Sequence, residues 1–284
     1  MTWRHGSNKP RVVATLTTIP SGVKGAIEVI EKLLEEPEID LIYFNLPEIY
    51  GKDGSRYPKY PVPNNPRLKV LKSIDRGPIT KVYPVLDVEL DPETLIFIVD
   101  DDHLPESGII GKFLKHHRAH PDSVLTTGGW IRGDLFVTYQ EMSRDFSGVR
   151  EVDWVEGAGG ILAARKYFPK TSAVLLDYSK AGTYQFLFKK HDDHWLSWHF
   201  REAGAALKSI PEFYGKLPTK NVKSENISGH LNFQAEVHQV ATFLKSIGIY
   251  NVGSSFNPLP WGVKITLVLL GLGLALTFLI GKKR

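Results

Sequence analysis

The sequence contains no cysteine, which excludes a disulfide scaffold, a thiolate zinc site and a cysteine nucleophile. Its opening residues, MTWRHGSNKPR, hold no apolar stretch of the kind a signal peptide needs. A basic surplus is also missing where a nucleic-acid binder would carry one. Lysine and arginine number 35 against 31 acids, but Lys264, Lys282, Lys283 and Arg284 stand in an acid-free stretch from 261 to 284, so the remainder holds 31 of each. Proteins that grip phosphate backbones concentrate cations on the gripping domain, so no nucleic-acid partner is expected. Neither an internal repeat nor a low-complexity tract is visible. With 42% hydrophobic and 11% aromatic residues, the 284-residue chain has core material for at least one large domain.

Short apolar, β-branched runs alternate with helical patterns. Residues 11–18 (RVVATLTT), 41–45 (LIYFN), 68–71 (LKVL), 94–99 (TLIFIV), 123–127 (SVLTT) and 152–155 (VDWV) read as strands. Helices are expected over 21–36, with Ser21 as N-cap, and over 80–89, 106–120 and 193–203. Such alternation predicts an α/β fold, a mixed but mostly parallel sheet flanked by helices, with ligands at the carboxyl ends of strands. Residues 51–66, rich in Pro, Tyr and Asn, read as a surface loop. Beyond Pro218 a further helix aligns Phe233, Val237, Val240, Ala241, Leu244 and Ile247 on one face and stops at Gly248.

Four short stretches carry chemistry. In TLIFIVDDDH (94–103) an apolar strand runs into three carboxylates. Clustered like charges need a cation or donors to neutralise them, and strand alternation puts Asp100 and Asp102 on one side; an acidic turn capping the next helix is the plainer reading. In RGPITK (76–81) a Gly-Pro turn leads to Thr80 as N-cap and Lys81 in a first helical turn, where an ammonium suits a diphosphate. Alone, a solvated lysine is the alternative. EGAGGILAAR (156–165) has Gly157, Gly159 and Gly160, which permit close ligand approach or simply a turn into a strand. In HDDHWLSWHF (191–200), Asp192 and Asp193 open a helix, as caps or as a base for a substrate hydroxyl.

In this order and spacing, the four stretches resemble glycosyltransferases of the GT-A fold, including domains from large algal viruses and bacterial relatives. VDDDH (99–103) stands at the family's DxD motif, RGPITK at its Gly-Pro-x-Thr-Lys stretch, EGAGGILAAR at its glycine-rich sugar-site segment, and DDHWLS at its acidic pair followed by x-Trp-x-Ser. VATLTTIPSG looks like the first nucleotide-binding strand. The resemblance covers roughly residues 11–218. It implies metal-dependent, inverting transfer of a sugar from a nucleotide-sugar, a UDP-sugar, with Mn²⁺ or Mg²⁺. It further implies Asp102 as metal ligand with Asp100. Thr15, Thr17, Lys81, Asp100, Asp101, Gly159 and Gly160 would bind the donor. Asp193 would be the base, with Asp192 or Glu156 as fallback and His103 and His230 as additional candidate ligands. The acceptor would be a glycan, a lipid-linked species or a protein. A metal-dependent phosphohydrolase and an inactive, membrane-anchored nucleotide-sugar-binding protein are the alternatives.

Residues 265–280 (ITLVLLGLGLALTFLI) are uncharged, preceded by Trp261 and Lys264 and followed by three cations. As a helix they cover roughly 24 Å, and with snorkelling lysines they reach a ~30 Å hydrocarbon core. A buried core helix is the other reading. The expected organisation is a catalytic domain over 1–220, a helix and linker over 221–260 and a single-pass transmembrane tail anchor over 261–284. The three cations that follow the apolar run favour the opposite orientation, but with no signal peptide the catalytic domain is expected on the cytoplasmic face.

Overall fold

The computed structural model describes residues 9–59, 61–132, 139–141, 148–210 and 233–247. The strands are β1 (Val12–Leu16), β2 (Leu41–Pro47), β3 (Leu68–Ser73), β4 (Leu95–Ile98), β5 (Ser123–Arg132), β6 (Tyr139–Glu141), β7 (Arg150–Glu151), β8 (Trp154–Ala164) and β9 (Ala206–Ser209). The helices are α1 (Val23–Leu34), α2 (Ile109–Ala119), α3 (Ser172–Leu175), α4 (Gln185–Phe188), α5 (Asp192–Glu202) and α6 (Phe233–Ser246). The strands form one sheet in the order β3-β2-β1-β4-β8-β5-β9-β7, with β6 added to β5.

Every residue of β1 and β4 is buried, which explains why their sequences are continuous apolar runs rather than alternating ones. Helix α1 buries Val23, Ala26, Ile27, Val29, Ile30 and Leu33, the spacing of one helical face. The expected α/β sheet is present and mixed. It is not mostly parallel: β1 to β4 and the β5–β9 pair run parallel, whereas β8 is antiparallel to both β4 and β5, as are β6 to β5 and β7 to β9. β8 is responsible, because the glycine-rich stretch read as a turn is the middle of an eleven-residue strand.

The chain builds outward from β1 to β2 and β3, then returns to place β4 on the other side of β1. That reversal leaves a crevice at the carboxyl ends of β1 and β4, the position where open α/β sheets bind ligands.

Three local expectations are corrected. Ser21 does not cap α1; it lies in a 3-10 turn, and the N-cap is Gly22 with no side-chain cap bond. The helix expected over 80–89 is two 3-10 turns, Ile79–Lys81 and Tyr83–Asp87, because Pro84 removes a backbone donor in mid-segment. In α6, Val240 and Leu244 are buried and Phe243 packs on the core, whereas Ile247 is exposed. The surface loop over 51–66 is found largely exposed. His230, Gly248, the linker and the expected membrane tail lie outside the described residues; among the described residues no helix is long and apolar enough to cross a membrane.

Gly160 binds the sheet together. It has φ +106°, and a Cβ there would meet Phe97 at 2.5 Å. Gly160→Ala should therefore destabilise the protein by about 2 kcal/mol through backbone strain and overpacking, measured by urea denaturation. An unchanged midpoint would mean that the close β8–β4 contact relaxes freely.

Candidate active site

Lys81 reaches the crevice because Gly77, at φ +76°, lets the chain turn sharply before the Ile79–Lys81 turn. Its carbonyl then accepts bonds from Thr15 Oγ1 (2.5 Å) and Asn45 Nδ2 (3.0 Å), which fix it to the ends of β1 and β2. The side chain is only 6% exposed, and its ammonium lies 2.7 Å from Asp100 Oδ1, 3.0 Å from Asp192 Oδ2 and 4.0 Å from Asp193 Oδ1. The solvated alternative for this lysine is excluded, and Thr80 does not cap a helix: its Oγ1 accepts the Arg76 N–H instead. Burial alone would push the ammonium toward neutrality, but the three carboxylates override it and hold Lys81 well above the usual lysine range.

Asp192 and Asp193 enter from the first turn of α5. Neither is a simple cap. Asp193 Oδ2 accepts the Gly157 N–H at 3.1 Å, so the helix is tied to β8 at the site. Ser197 strengthens the tie by donating to the Asp193 carbonyl (2.7 Å) while accepting the Val155 N–H (3.0 Å). Gly157 sits directly over the cluster, since a Cβ there would come within 3.1 Å of both Asp193 Oδ1 and Lys81 Nζ. Burial raises both carboxyl pKa values, and Asp100 raises them further against the pull of Lys81. Three carboxyl groups thus share one ammonium.

At the end of β4 the three aspartates diverge. Asp100 takes Lys81. Asp101 turns the other way, accepts a hydrogen bond from Thr18 Oγ1 and lies against Gly22, where a side chain would clash. Burial, together with Asp102 and Asp100, pushes its carboxyl up to about 7 despite the Thr18 bond. Asp102 pairs with His103 Nδ1 at 2.6 Å. Its burial opposes ionisation, but the His103 bond wins and lowers its pKa, and the same bond raises that of His103. Among the described residues no three His, Asp or Glu side chains form a closed metal cage.

Asp100, Asp192, Asp193 and Lys81 thus converge, as three of the four stretches required, and Gly157 supplies the fourth. The other expected residues stand further back. Thr15 is wholly buried, and its hydroxyl is committed to Lys81 and Asn45. Thr17 Oγ1 donates to the Asn45 carbonyl at 2.7 Å. Gly159 and Gly160 lie buried within β8, and Glu156, half-buried, immediately precedes Gly157. Sequence reasoning missed Asn45, Thr18 and Tyr57, whose hydroxyl donates to the Thr18 carbonyl at 2.9 Å. A lone asparagine ending an apolar strand is the one signal that could have flagged Asn45.

No family model and no curated protein matches the chain. Among solved structures it is similar to the 4-diphosphocytidyl-2C-methyl-D-erythritol synthase of Anaerococcus prevotii, at 16% identity and TM-score 0.42, covering 71% of this chain and 86% of that one. A second is the 2-C-methyl-D-erythritol 4-phosphate cytidylyltransferase of Francisella tularensis, at 11% identity and TM-score 0.39, covering 72% and 92%. At these identities and scores the likeness adds nothing to the site, which is read from its own geometry.

Proposed function

We propose that the chain is a metal-dependent glycosyltransferase that moves a sugar from a UDP-sugar to an acceptor hydroxyl with inversion at the anomeric carbon. One observation carries the reading: the buried Lys81 ammonium gathers Asp100, Asp192 and Asp193 beneath Gly157 at the β1/β4 crevice. In the reaction the acceptor oxygen bonds to the anomeric carbon as the bond to the diphosphate breaks, and Asp193 takes the hydroxyl proton. A carboxyl raised above its ordinary pKa is a stronger base than a helix-capping aspartate in water. Lys81 offsets charge on the diphosphate.

Asp102, with Asp100, fits a hard divalent ion. Both offer the carboxylate oxygens that Mg²⁺ or Mn²⁺ takes together with water and phosphate, and an ion there would compete with the pairing of Asp100 to Lys81 and of Asp102 to His103. Such an ion, when bound, would neutralise the departing diphosphate. Asp101 and Thr18 hold the loop that presents Asp100 and Asp102. We further propose that residues 261–284 anchor the enzyme at the cytoplasmic face of a membrane, near a glycan, lipid-linked or protein acceptor.

Asp193→Asn should keep UDP-sugar binding, read as a thermal shift with Mn²⁺, and lose transfer by about 10²-fold or more. In the wild type, chelation with EDTA should abolish both transfer and donor hydrolysis. The proposal fails if no UDP-sugar binds or is turned over with either ion. An Asp193→Asn enzyme at full rate would move the base to Asp192 or Glu156.

A further inference from the structure

A cavity of about 550 Å³ has Asp75, Arg76, Asp177, Tyr178, Gln185 and Lys189 among its lining residues. Its two walls are the segments that deliver the site: Arg76 lies five residues before Lys81, and Lys189 three before Asp192. They meet where a Cβ on Gly77 would stand 3.2 Å from the Lys189 carbonyl. The cavity is linked to the site through Tyr178, whose hydroxyl lies in the field of Asp192.

Its charges are unequally satisfied. Asp75 accepts the N–H groups of Gly51 and Gly77, both at 2.8 Å, and Asp177 accepts that of Ser179 at 3.0 Å. Among the described residues the Arg76 guanidinium has no hydrogen bond or ion pair. The Lys189 ammonium has only the face of Tyr178, 5.7 Å from the ring centre. Tyr178 stacks on Trp195 of α5 at 4.8 Å and is nine-tenths buried, and its hydroxyl has no partner. That hydroxyl lies in the fields of Asp192 and Arg76, with burial the main cause of its raised pKa. The tyrosine is thus a lining residue of the cavity that lies in the field of Asp192, the neighbour of the proposed base.

We propose that this cavity is the acceptor subsite and that Arg76 and Lys189 receive an anionic group of the acceptor, a phosphate or a carboxylate. Its role as an acceptor site rests on the glycosyltransferase reading; its preference for anions does not. A guanidinium fork beside an ammonium matches the planar or tetrahedral oxygens of such a group, and the two aspartates already hold their own donors.

The test is ligand-observed NMR on the full-length chain without nucleotide, comparing glucose, glucuronate and glucose 6-phosphate. At least one anionic sugar should bind about tenfold or more tightly than glucose, and whichever wins distinguishes carboxylate from phosphate. Arg76→Gln/Lys189→Gln, substitutions at exposed positions, should leave the melting temperature unchanged and remove the preference, while Arg76→Lys should retain part of it. Equal binding of all three sugars, no binding, or a preference that survives in the double variant would overturn the proposal. UDP-sugar binding with Mn²⁺ is scored separately. Its absence beside an intact anion preference would defeat the glycosyltransferase reading and leave this cavity's preference standing.

Discussion

Replacing Lys81 by methionine should destabilise the protein by about 3–5 kcal/mol at pH 8 and reduce transfer by at least about 10²-fold. The size of the effect comes from what remains. Methionine fills the same volume, but Asp100, Asp192 and Asp193 lose the ammonium that, among the described residues, lies within 4.0 Å of all three. Buried carboxylates without a counter-charge escape the penalty by taking up protons. In the variant the folded-state pKa values of Asp192 and Asp193, already raised in the wild type, should rise further above the unfolded values. The folded variant then binds more protons than the unfolded chain, so its stability falls as pH rises through the shifted pKa values. The gap between wild type and variant should accordingly be larger at pH 8 than at pH 5.5, measured by urea denaturation at both. Adding Asp192→Asn to Lys81→Met should recover part of the stability without restoring transfer. A gap independent of pH would reduce Lys81 to a packing role.

The strands that form this crevice were legible because β1 and β4 are apolar runs with clear ends, and the aspartates follow β4 without a gap. The convergence of Lys81 with Asp192 was not. Burial of a lysine depends on partners more than a hundred residues away, and RGPITK by itself looks like a solvated turn. The part of β8 beyond residue 155 escaped for a different reason. Glycines usually break strands, but Gly157 and Gly160 serve close approaches to the carboxylates and to Phe97 that only the folded sheet reveals. The glycine that touches the charged cluster is Gly157, two positions before the pair expected to bind the donor. The strand alternation expected to put Asp100 and Asp102 on one side does not reach them, because β4 stops at Ile98, and each of the three aspartates takes a different partner. What local pattern could not supply was Asp101's partner, Thr18, brought over by the turn after β1.

Helix α5, which carries the proposed base, also carries two histidines, His194 and His199, with His191 at its N-cap, and their burial gives it an acid sensitivity of its own. His199 lies in contact with the Trp195 ring, with centroids 4.6 Å apart, and its Nε2 has no hydrogen-bond partner. Burial lowers its pKa from 6.5 to about 4, with Lys180 assisting and Glu202, 3.7 Å from Nδ1, opposing. His194, packed on Trp154, is lowered well below the ordinary value by burial and by His191. Between pH 6.5 and 4 the unfolded chain binds a proton at His199 that the folded one does not, so this residue's contribution is intact above pH 6.5 and is lost as pH falls toward 4. Across that window the loss amounts to about 3 kcal/mol, at roughly 1.4 kcal/mol per pH unit. The whole protein will not display it directly, because Asp101, Asp192 and Asp193 have raised pKa values and pull with the opposite sign. The difference between wild type and His199→Leu isolates it. That difference should stay constant from pH 8 to 6.5 and then shift in favour of the variant by about 1.4 kcal/mol for each further unit of acid. A flat difference down to pH 4.5 in urea titrations would show that His199 is protonated within the fold, and α5 would then lose its acid trigger.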